Sequence, residues 1–386
     1  MSGRSRRAVL RGMVTLGGIG LDACSGARFG IAQEVQHASC DATAVTVRGD
    51  VPSLAALAAR QGRWFGCSVK DPLFTDAPFQ QLVIDQCNLL VCTYSMKWRH
   101  LEHEPGQFDF RPSDRYIDFA ERHGMQFRGH TLVWDRALPY WLGEELERTG
   151  FAAVERHVRE VARHYAGRLQ SWDVVNEAVW PADGRDDRLK ANVFLQALGP
   201  SYIEAAFFAA READPAALLY YNSNPAPYGR PGDREHFEGV IALLERLKGR
   251  DVPVHGLGLQ GHLAAALDDQ FDEQILVWFF EQATALGLHV MITELDVTDK
   301  GMSADVALRD QRVATTYRRF LEVALAFPAV KGVLTWGLSD RYTGLNRWPR
   351  EDGWAVRGLP YDHCLQPKLA REEIANAFLA HDPDRA

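Results

Sequence analysis

From about residue 52, short apolar stretches rich in β-branched residues alternate with longer amphipathic stretches. Eight of the short stretches have the length of a strand. They are RWFGCSV (63–69), NLLVCTY (88–94), MQFRGHTLVW (125–134), LQSWDVVN (169–176), ALLYYN (217–222), VHGLGLQ (254–260), HVMITELDV (289–297) and VKGVLTWGLS (330–339). The helix candidates, in which apolar residues recur at three- and four-residue steps, include 112–124, 154–167, 233–250, 310–327 and 368–380. This alternation predicts an α/β fold with a parallel sheet.

Eight strands, each followed by a helical or irregular connection, are the number that a single (β/α)8 TIM barrel requires. The alternative is a doubly wound open sheet, which would carry a glycine-rich phosphate loop after an early strand. Neither GxGxxG nor GxxxxGK[ST] occurs in the chain. We therefore predict that residues 52–386 form the barrel and that residues 28–51, which show no periodicity, form an arm or linker.

The N-terminal segment has features of an export signal. Within residues 1–27, Ser-Arg-Arg at 5–7 precedes a mildly apolar, glycine-rich stretch that is too short to span a membrane. This resembles a twin-arginine signal and predicts a periplasmic or secreted protein. Residues 21–24 faintly resemble a lipoprotein cleavage box, which leaves a lipid anchor at Cys24 open, although Asp22 fits it poorly. The other alternative is a disordered basic tail.

Charge and cysteine usage limit the partners of the chain. The net charge is −8, and residues 1–27, with four arginines and one aspartate, contribute +3, so that −11 remains for the rest. An acidic body argues against nucleic acid as a partner. The six cysteines include no CxxC pair, and no cysteine and histidine cluster has the spacing of metal ligands. We expect no metal and no cofactor.

Polar residues interrupt the apolar strands near their ends. The segment SWDVVNEAVW (171–180) delivers an Asn-Glu pair from a strand that otherwise reads as buried. Active sites of TIM barrels lie at the C-terminal ends of the strands. The polar and aromatic candidates there are His130 and Trp134 (third strand), Asn176 and Glu177 (fourth), Gln260 and His262 (sixth), Glu294 and Asp296 (seventh), and Trp336 (eighth). One end of the barrel should therefore hold all of them.

Two carboxylates from separate strands suit glycoside hydrolysis, in which one protonates the leaving oxygen and the other acts in its ionised form. Glu177 has neutral or apolar sequence neighbours and is the better proton donor. Glu294 lies near Asp296 and within reach of His262, which could hold it ionised and oriented as a nucleophile. The ten tryptophans include enough aromatic surface to stack on sugar rings.

With these residues in place, the chain resembles glycoside hydrolase family 10, the family of retaining endo-β-1,4-xylanases. The matching segments are MKW (96–98), RGHTLVW (128–134), WDVVNEA (172–178), GLGLQGHL (256–263), ITELDV (292–297) and TWGLSD (335–340). They follow the order of the family over nearly the whole chain after the N-terminal segment. The 117-residue separation of Glu177 from Glu294 is part of a highly specific pair of motifs.

The resemblance implies a role for each candidate. Glu177 would be the acid/base and Glu294 the nucleophile, supported by Asp296. Asn176 would bond the sugar 2-hydroxyl. The other substrate-binding candidates are Tyr94, Lys97, His130, Trp134, Gln260, His262 and Trp336. The expected substrate is a polysaccharide or oligosaccharide, namely xylan, and we expect a monomer that has no membrane span and uses no cofactor.

The chain also departs from the family. Thr93 and Tyr94 stand where the family has Glu-Asn, a pair that the resemblance implies would bind the glycone sugars. Ala137 stands where the family has Gln, and Gly344 where a Trp is common. Tyr94 cannot reproduce the two-sided hydrogen bonding of an amide. Two alternatives to a xylanase therefore stay open. One is the same mechanism on a different or branched β-glycan, and the other is a non-catalytic glycan-binding or export-accessory protein.

Overall fold

The computed structural model describes residues 35–37 and 52–381, so the predicted export signal and most of the predicted arm lie outside the described residues. Eight parallel strands in the described part close into a barrel. They are β1 (Trp64–Val69), β2 (Leu89–Cys92), β3 (Gln126–Val133), β4 (Ser171–Asn176), β5 (Leu218–Ser223), β6 (Gly256–Leu259), β7 (His289–Thr298) and β8 (Val330–Thr335).

Each strand pairs with the next in chain order, and β8 pairs with both β7 and β1, which closes the sheet. Residues Trp64 and Gly332 are partners in the β1–β8 register, and Val290 and Val330 are partners in the β7–β8 register. All eight predicted strands are present within a few residues of their predicted limits. The prediction of a single (β/α)8 TIM barrel is therefore confirmed.

Helices surround the barrel. They are α1 (Leu54–Ala59), α2 (Ala77–Gln86), α3 (Trp98–Leu101), α4 (Arg111–Arg122), α5 (Leu142–Thr149), α6 (Ala152–His164), α7 (Val193–Leu198), α8 (Ser201–Ala213), α9 (Asp233–Lys248), α10 (Glu273–Ala285), α11 (Val306–Leu325) and α12 (Leu369–Ala380). Aspartates cap several of them. Asp272 accepts a hydrogen bond from the backbone N–H of Ile275 at the start of α10, and Asp305 does the same from Leu308 at the start of α11.

The core has two layers. The larger layer lies between the sheet and the helices, and a smaller cluster fills the barrel interior with Leu89, Val91, Tyr220, Met291 and Leu334. The interior is tight enough to dictate small residues at some strand positions. A Cβ atom at Gly256 would lie 2.2 Å from the ring of Tyr220. The filled interior leaves the open mouth at the strand ends as the place where polar groups collect.

The remaining described elements are short. Residues 102–104 and 107–108 form an antiparallel hairpin after α3, and His262–Ala264 forms a short strand beside β7. Gln36 exchanges backbone hydrogen bonds with the loop at Gly353 and Ala355. In the part of the chain that the structure describes, no helix is both long and apolar enough to cross a membrane.

Candidate active site

Glu177 follows directly on β4, in a backbone conformation that is rare for a residue with a side chain. Its φ is +57°, in the left-handed region, and its N–H donates to the carbonyl oxygen of Asn222 at 2.9 Å. Such conformations cost on the order of 1–3 kcal/mol and persist where the surroundings enforce them. The chain therefore leaves the strand sharply at the residue that the sequence singles out.

The carboxylate of Glu177 lies at the mouth and is held at both oxygens. Trp134 Nε1 donates to Oε2 at 3.0 Å, and Gln260 Nε2 donates to Oε1 at 3.0 Å. Two cations stand farther off, since Arg136 Nε and Lys190 Nζ are each 4.0 Å from Oε2. Arg136 and Lys190 lie in the loops after β3 and β4. The residues next to Glu177 in the sequence are neutral and did not predict these cations.

Glu294 lies on β7 and is more deeply buried, with 5% of its surface exposed. Asn222 Nδ2 donates to its Oε1 at 2.9 Å, and His262 Nε2 lies 3.3 Å from its Oε2. The other ring nitrogen of His262, Nδ1, is 2.9 Å from Asp296 Oδ1. Asp296, His262 and Glu294 thus form a linear chain of hydrogen bonds.

The charges in this chain favour an ionised Glu294. Burial alone would raise the pKa of Glu294, but the hydrogen bond from His262 and the charges of His130, His262 and Lys97 lower that pKa to about 2. Burial likewise opposes the charge on His262, yet Asp296 and Glu294 raise the pKa of His262 well above its ordinary value. The raised pKa favours the imidazolium form of His262, which can donate from both nitrogens.

Amide side chains connect the two glutamates. Asn176 Oδ1 accepts hydrogen bonds from Asn222 Nδ2 at 2.9 Å and from Gln260 Nε2 at 3.3 Å. Asn222 in turn bonds Glu294, and Gln260 bonds Glu177. We call these five residues (Asn176, Glu177, Asn222, Gln260 and Glu294) the carboxylate cluster. Four strands contribute to it, and its amides fix the position of both carboxylates.

A second layer below the mouth orients His130. Its Nδ1 lies 2.9 Å from Asp173 Oδ2, and the same aspartate forms an ion pair with Arg128. All three side chains are buried. Asp173 is a charged residue in the middle of β4, and its contacts in the fold hold Arg128 and His130.

Lys97 lies among aromatic rings at the mouth. Its Nζ is 4.5 Å from the ring centroid of Trp134, 6.0 Å from that of Trp336 and 5.5 Å from that of Tyr94. Burial lowers the pKa of Lys97, and the carboxylates of Glu294 and Glu177 partly offset this effect. The ring of Trp336 also lies 5.5 Å from that of His130. Every predicted site residue therefore lies in or next to the carboxylate cluster, with Tyr94 at its edge.

Tyr94 belongs to a small pocket beside Trp336, formed by the loops after β1, β2 and β8. We call it the Tyr94 pocket and define it by Lys70, Thr93, Tyr94, Trp336, Tyr342 and Gly344. A Cβ atom at Gly344 would meet no atom within 4 Å, so this side of the pocket is open. Ala137, the other small residue among the sequence departures, does not line it.

Sequence reasoning missed several residues of the mouth. Asn222 ends the fifth strand candidate, so its position at a strand end was the available signal. Arg136, Lys190 and Lys70 lie in loops or just after a strand, where no periodicity marks a side chain as facing the mouth. Among the described residues, no group of three or more His, Cys, Asp or Glu side chains is placed to hold a metal ion.

The mouth of this eight-stranded barrel holds two glutamates. Glu294 is bonded to His262, which is bonded to Asp296, whereas Glu177 accepts hydrogen bonds from neutral donors. This is the architecture of a barrel glycoside hydrolase. The sequence model of glycosyl hydrolase family 10 matches residues 53–377. The chain therefore belongs to glycosyl hydrolase family 10, and it is an enzyme.

Relatives agree with this assignment. The chain is 33% identical over 311 residues to a beta-1,4-xylanase of Dictyoglomus thermophilum, which covers 77% of this chain and 83% of the relative. It is 32% identical over 330 residues to an endo-1,4-beta-xylanase of Agaricus bisporus, which covers 84% and 94% of the two chains. The crystal structure of native xylanase 10B from Thermotoga maritima superposes with a TM-score of 0.77 at 28% identity, covering 86% of this chain and 100% of that one.

Proposed function

We propose that this chain is an endo-acting, retaining glycosidase that cleaves β-1,4-xylosidic linkages by double displacement, with Glu294 as nucleophile and Glu177 as acid/base. The observation that carries the proposal is the different surroundings of the two carboxylates. The partly buried imidazole of His262 and an amide keep Glu294 ionised, while Glu177 accepts hydrogen bonds from neutral donors nearer the opening. A retaining glycosidase needs this division.

In the first step, a Glu294 oxygen attacks the anomeric carbon as the bond to the leaving oxygen breaks. Glu177 transfers its proton to that oxygen, so the aglycone leaves as an alcohol. In the second step, Glu177 takes a proton from water, the water oxygen attacks the same carbon, and Glu294 is released. Each step inverts the configuration, and the product retains it.

The surrounding residues position the sugar. The Oδ1 of Asn176 is already used by Asn222 and Gln260, which leaves its amide N–H groups to donate to a sugar hydroxyl, for which we propose the 2-hydroxyl. Lys97, His130 and Trp336 surround the remaining space beside Glu294, and Gln260 and Trp134 hold the acid/base. Asp296 acts through His262 by fixing its orientation and charge.

Xylan is the substrate that the names of the relatives suggest. A second candidate is a different or branched β-glycan cleaved by the same mechanism. It is favoured by the Tyr94 pocket, where Thr93 and Tyr94 replace the Glu-Asn of the family and Gly344 leaves open space.

Reducing-end release over a panel of polysaccharides tests the substrate, and proton NMR of the first product tests the stereochemistry. We expect a β-anomer as first product, because double displacement at a β-linkage inverts the anomeric carbon twice. Release of an α-anomer would overturn the retaining mechanism. Cleavage of another β-glycan in place of xylan would leave the mechanism standing and change the substrate.

The proposal also covers where the protein acts and how the chain is organised. We propose that residues 1–27 direct export to the periplasm or the medium, that residues 28–51 are an arm, and that the barrel acts as a monomer. Processing of the exported protein is measurable by N-terminal sequencing, and a mature form that still begins at Met1 in the cytoplasm would contradict export. Labelling with a radioactive fatty acid would reveal an anchor at Cys24.

A further inference from the structure

The Tyr94 pocket adjoins the carboxylate cluster through Trp336, and no carboxylate is among its lining residues. Thr93 stands where the family places a glutamate, and its Oγ1 donates to the carbonyl oxygen of Val69 at 3.1 Å. Asp76 bonds Tyr342, which lines the pocket, but the charge of Asp76 is balanced by Arg341. Arg341 Nη1 and Tyr342 Oη lie 2.7 and 2.6 Å from its Oδ2.

Cations, by contrast, are concentrated at the pocket. Lys70 lines it, Lys97 lies 5.5 Å from the Tyr94 ring, and Arg347 Nη2 lies 3.5 Å from Tyr94 Oη. None of the three has a carboxylate within 4.0 Å among the residues that the structure describes. Burial lowers the pKa of Lys70, and the charge of Arg347 lowers it further. The charge of Lys97 is partly balanced by Glu294 and Glu177, whereas Lys70 and Arg347 repel each other and form no ion pair with a described carboxylate.

The positive surface continues beyond Tyr94 along an exposed aromatic residue. Trp348 is 43% exposed, and its ring lies 5.9 Å from Arg347 Cζ and 5.6 Å from Lys300 Nζ. Lys300 also has no carboxylate within 4.0 Å in the described part of the chain. An aromatic face between two cations suits a sugar ring that carries negative charge. This surface belongs to a chain whose net charge is −8.

We propose that the Tyr94 pocket binds a glycone sugar that carries a carboxylate, as a hexuronate does, and that Lys70 and Arg347 are its partners. The inference rests on the proposed function and specifies the branched glycan that the pocket accepts. A guanidinium and an ammonium bind a carboxylate through charge-assisted hydrogen bonds, which are about twice as strong as neutral ones. The bound carboxylate would supply the counter-ion that the pocket lacks.

A matched pair of substrates tests the proposal. The first is a xylo-oligosaccharide that bears a single glucuronic acid substituent, and the second is the same compound after reduction of its carboxyl group. For the wild type we expect kcat/KM to be at least about tenfold higher for the acidic compound at low ionic strength. High salt should reduce this preference, because Arg347 is exposed. The uronate should remain on the product fragment that carries the new reducing end.

Variants assign the preference to the pocket. Lys70→Gln should lower the ratio of the two kcat/KM values by about tenfold and Arg347→Gln by about threefold, since Lys70 is the more buried. Lys70→Arg, which keeps the charge, should restore most of the ratio. The controls Lys248→Gln and Arg122→Gln remove the same charges from exposed helical positions and should leave the ratio unchanged.

The outcomes separate this inference from the proposed function. If the wild type cleaves both compounds equally, or Lys70→Gln leaves its preference intact, the carboxylate site is wrong while the hydrolase stands. If neither compound is cleaved, titration calorimetry measures whether the acidic compound binds more tightly than the reduced one. Tighter binding of the acidic compound would support the site and overturn the xylan-cleaving function, and equal affinities would overturn both. A uronate found only on the aglycone fragment would also contradict the site.

Discussion

The carboxylate cluster and the Tyr94 pocket lie side by side at one mouth, yet they are built differently. In the cluster, strand residues hold strand residues, and each carboxylate has at least two hydrogen-bond donors or charged partners. In the pocket, loops provide the walls, the cations lack carboxylate partners in the described part of the chain, and the space beside Gly344 is empty.

The difference teaches where this enzyme can vary. In the proposed mechanism, the amides and the partly buried His262 hold the two carboxylates, and a change there removes a group that the chemistry needs. The pocket has no such network, so we expect substitutions in it to change the preferred sugar without affecting the bond-breaking step. We propose that the reaction depends on the cluster and the choice of substrate on the pocket. Four sets of variants test this division.

Glu294→Ala should reduce kcat/KM by at least about 10⁴-fold on every substrate, because no other group in the cluster is placed to form the glycosyl bond. The loss should be the same for a polysaccharide and for an activated aryl glycoside. Glu281→Ala, an exposed glutamate of α10, is the control and should retain full activity. Substantial cleavage of the aryl glycoside by Glu294→Ala would disprove its role.

Glu177→Ala should behave differently with the two substrates. On a polysaccharide the expected loss is about 10²- to 10⁴-fold, since the leaving alcohol must be protonated. On an aryl glycoside with a good leaving group, the first step needs little protonation and should be nearly spared. Steady-state kinetics on both substrates measures the contrast with Glu294→Ala. Equal losses on both would mean that the two glutamates have been assigned the wrong way round or do not divide the work.

His262→Asn should shift the pH profile as well as lower the rate. In the wild type the pKa of Glu294 is about 2, so this residue stays ionised well below neutral pH. Without the imidazolium, burial dominates and the pKa of Glu294 rises, which moves the acid limb of kcat/KM to higher pH. We expect a loss of about tenfold or more at the optimum from the missing charge-assisted bond. His123→Asn, at an exposed helix end, is the control. If the acid limb of kcat/KM does not move in His262→Asn, the proposed effect of His262 on the pKa of Glu294 is wrong.

The double variant Thr93→Glu with Tyr94→Asn should have the smallest effect and the opposite sign. It restores the residues that the family uses for glycone hydroxyls, and one hydrogen bond of this kind is worth about 1–3 kcal/mol. Activity on unsubstituted xylan should therefore rise about fivefold or more. Activity on a uronate-bearing substrate should fall, because the introduced carboxylate would lie among the cations and compete with the uronate for them. A wild type that already cleaves linear xylan efficiently, with no gain in the variant, would refute the rebuilt pocket.

The sequence predicted the strand-borne parts of the molecule well and the loop-borne parts poorly, for a physical reason. Apolar periodicity marks where strands lie, and the C-terminal ends of barrel strands meet at one mouth, so Glu177 and Glu294 could be placed there from the sequence. Asn222 ended a predicted strand and could have been included by the same rule. Lys70, which follows β1 directly, could have been included in the same way. Arg136 and Arg347 follow no period, and only the three-dimensional path of their loops brings them to the mouth.

Trapping with a 2-fluoroglycoside is the most direct test of the central claim that Glu294 attacks the sugar while Glu177 moves the proton. The fluorine slows both steps, so a reagent with a good leaving group leaves the glycosyl–enzyme intact long enough for peptide mapping by mass spectrometry. We expect one added glycosyl mass on the peptide that contains Glu294, and none after Glu294→Ala. A label on Glu177, or active hydrolysis with no covalent adduct at all, would contradict it.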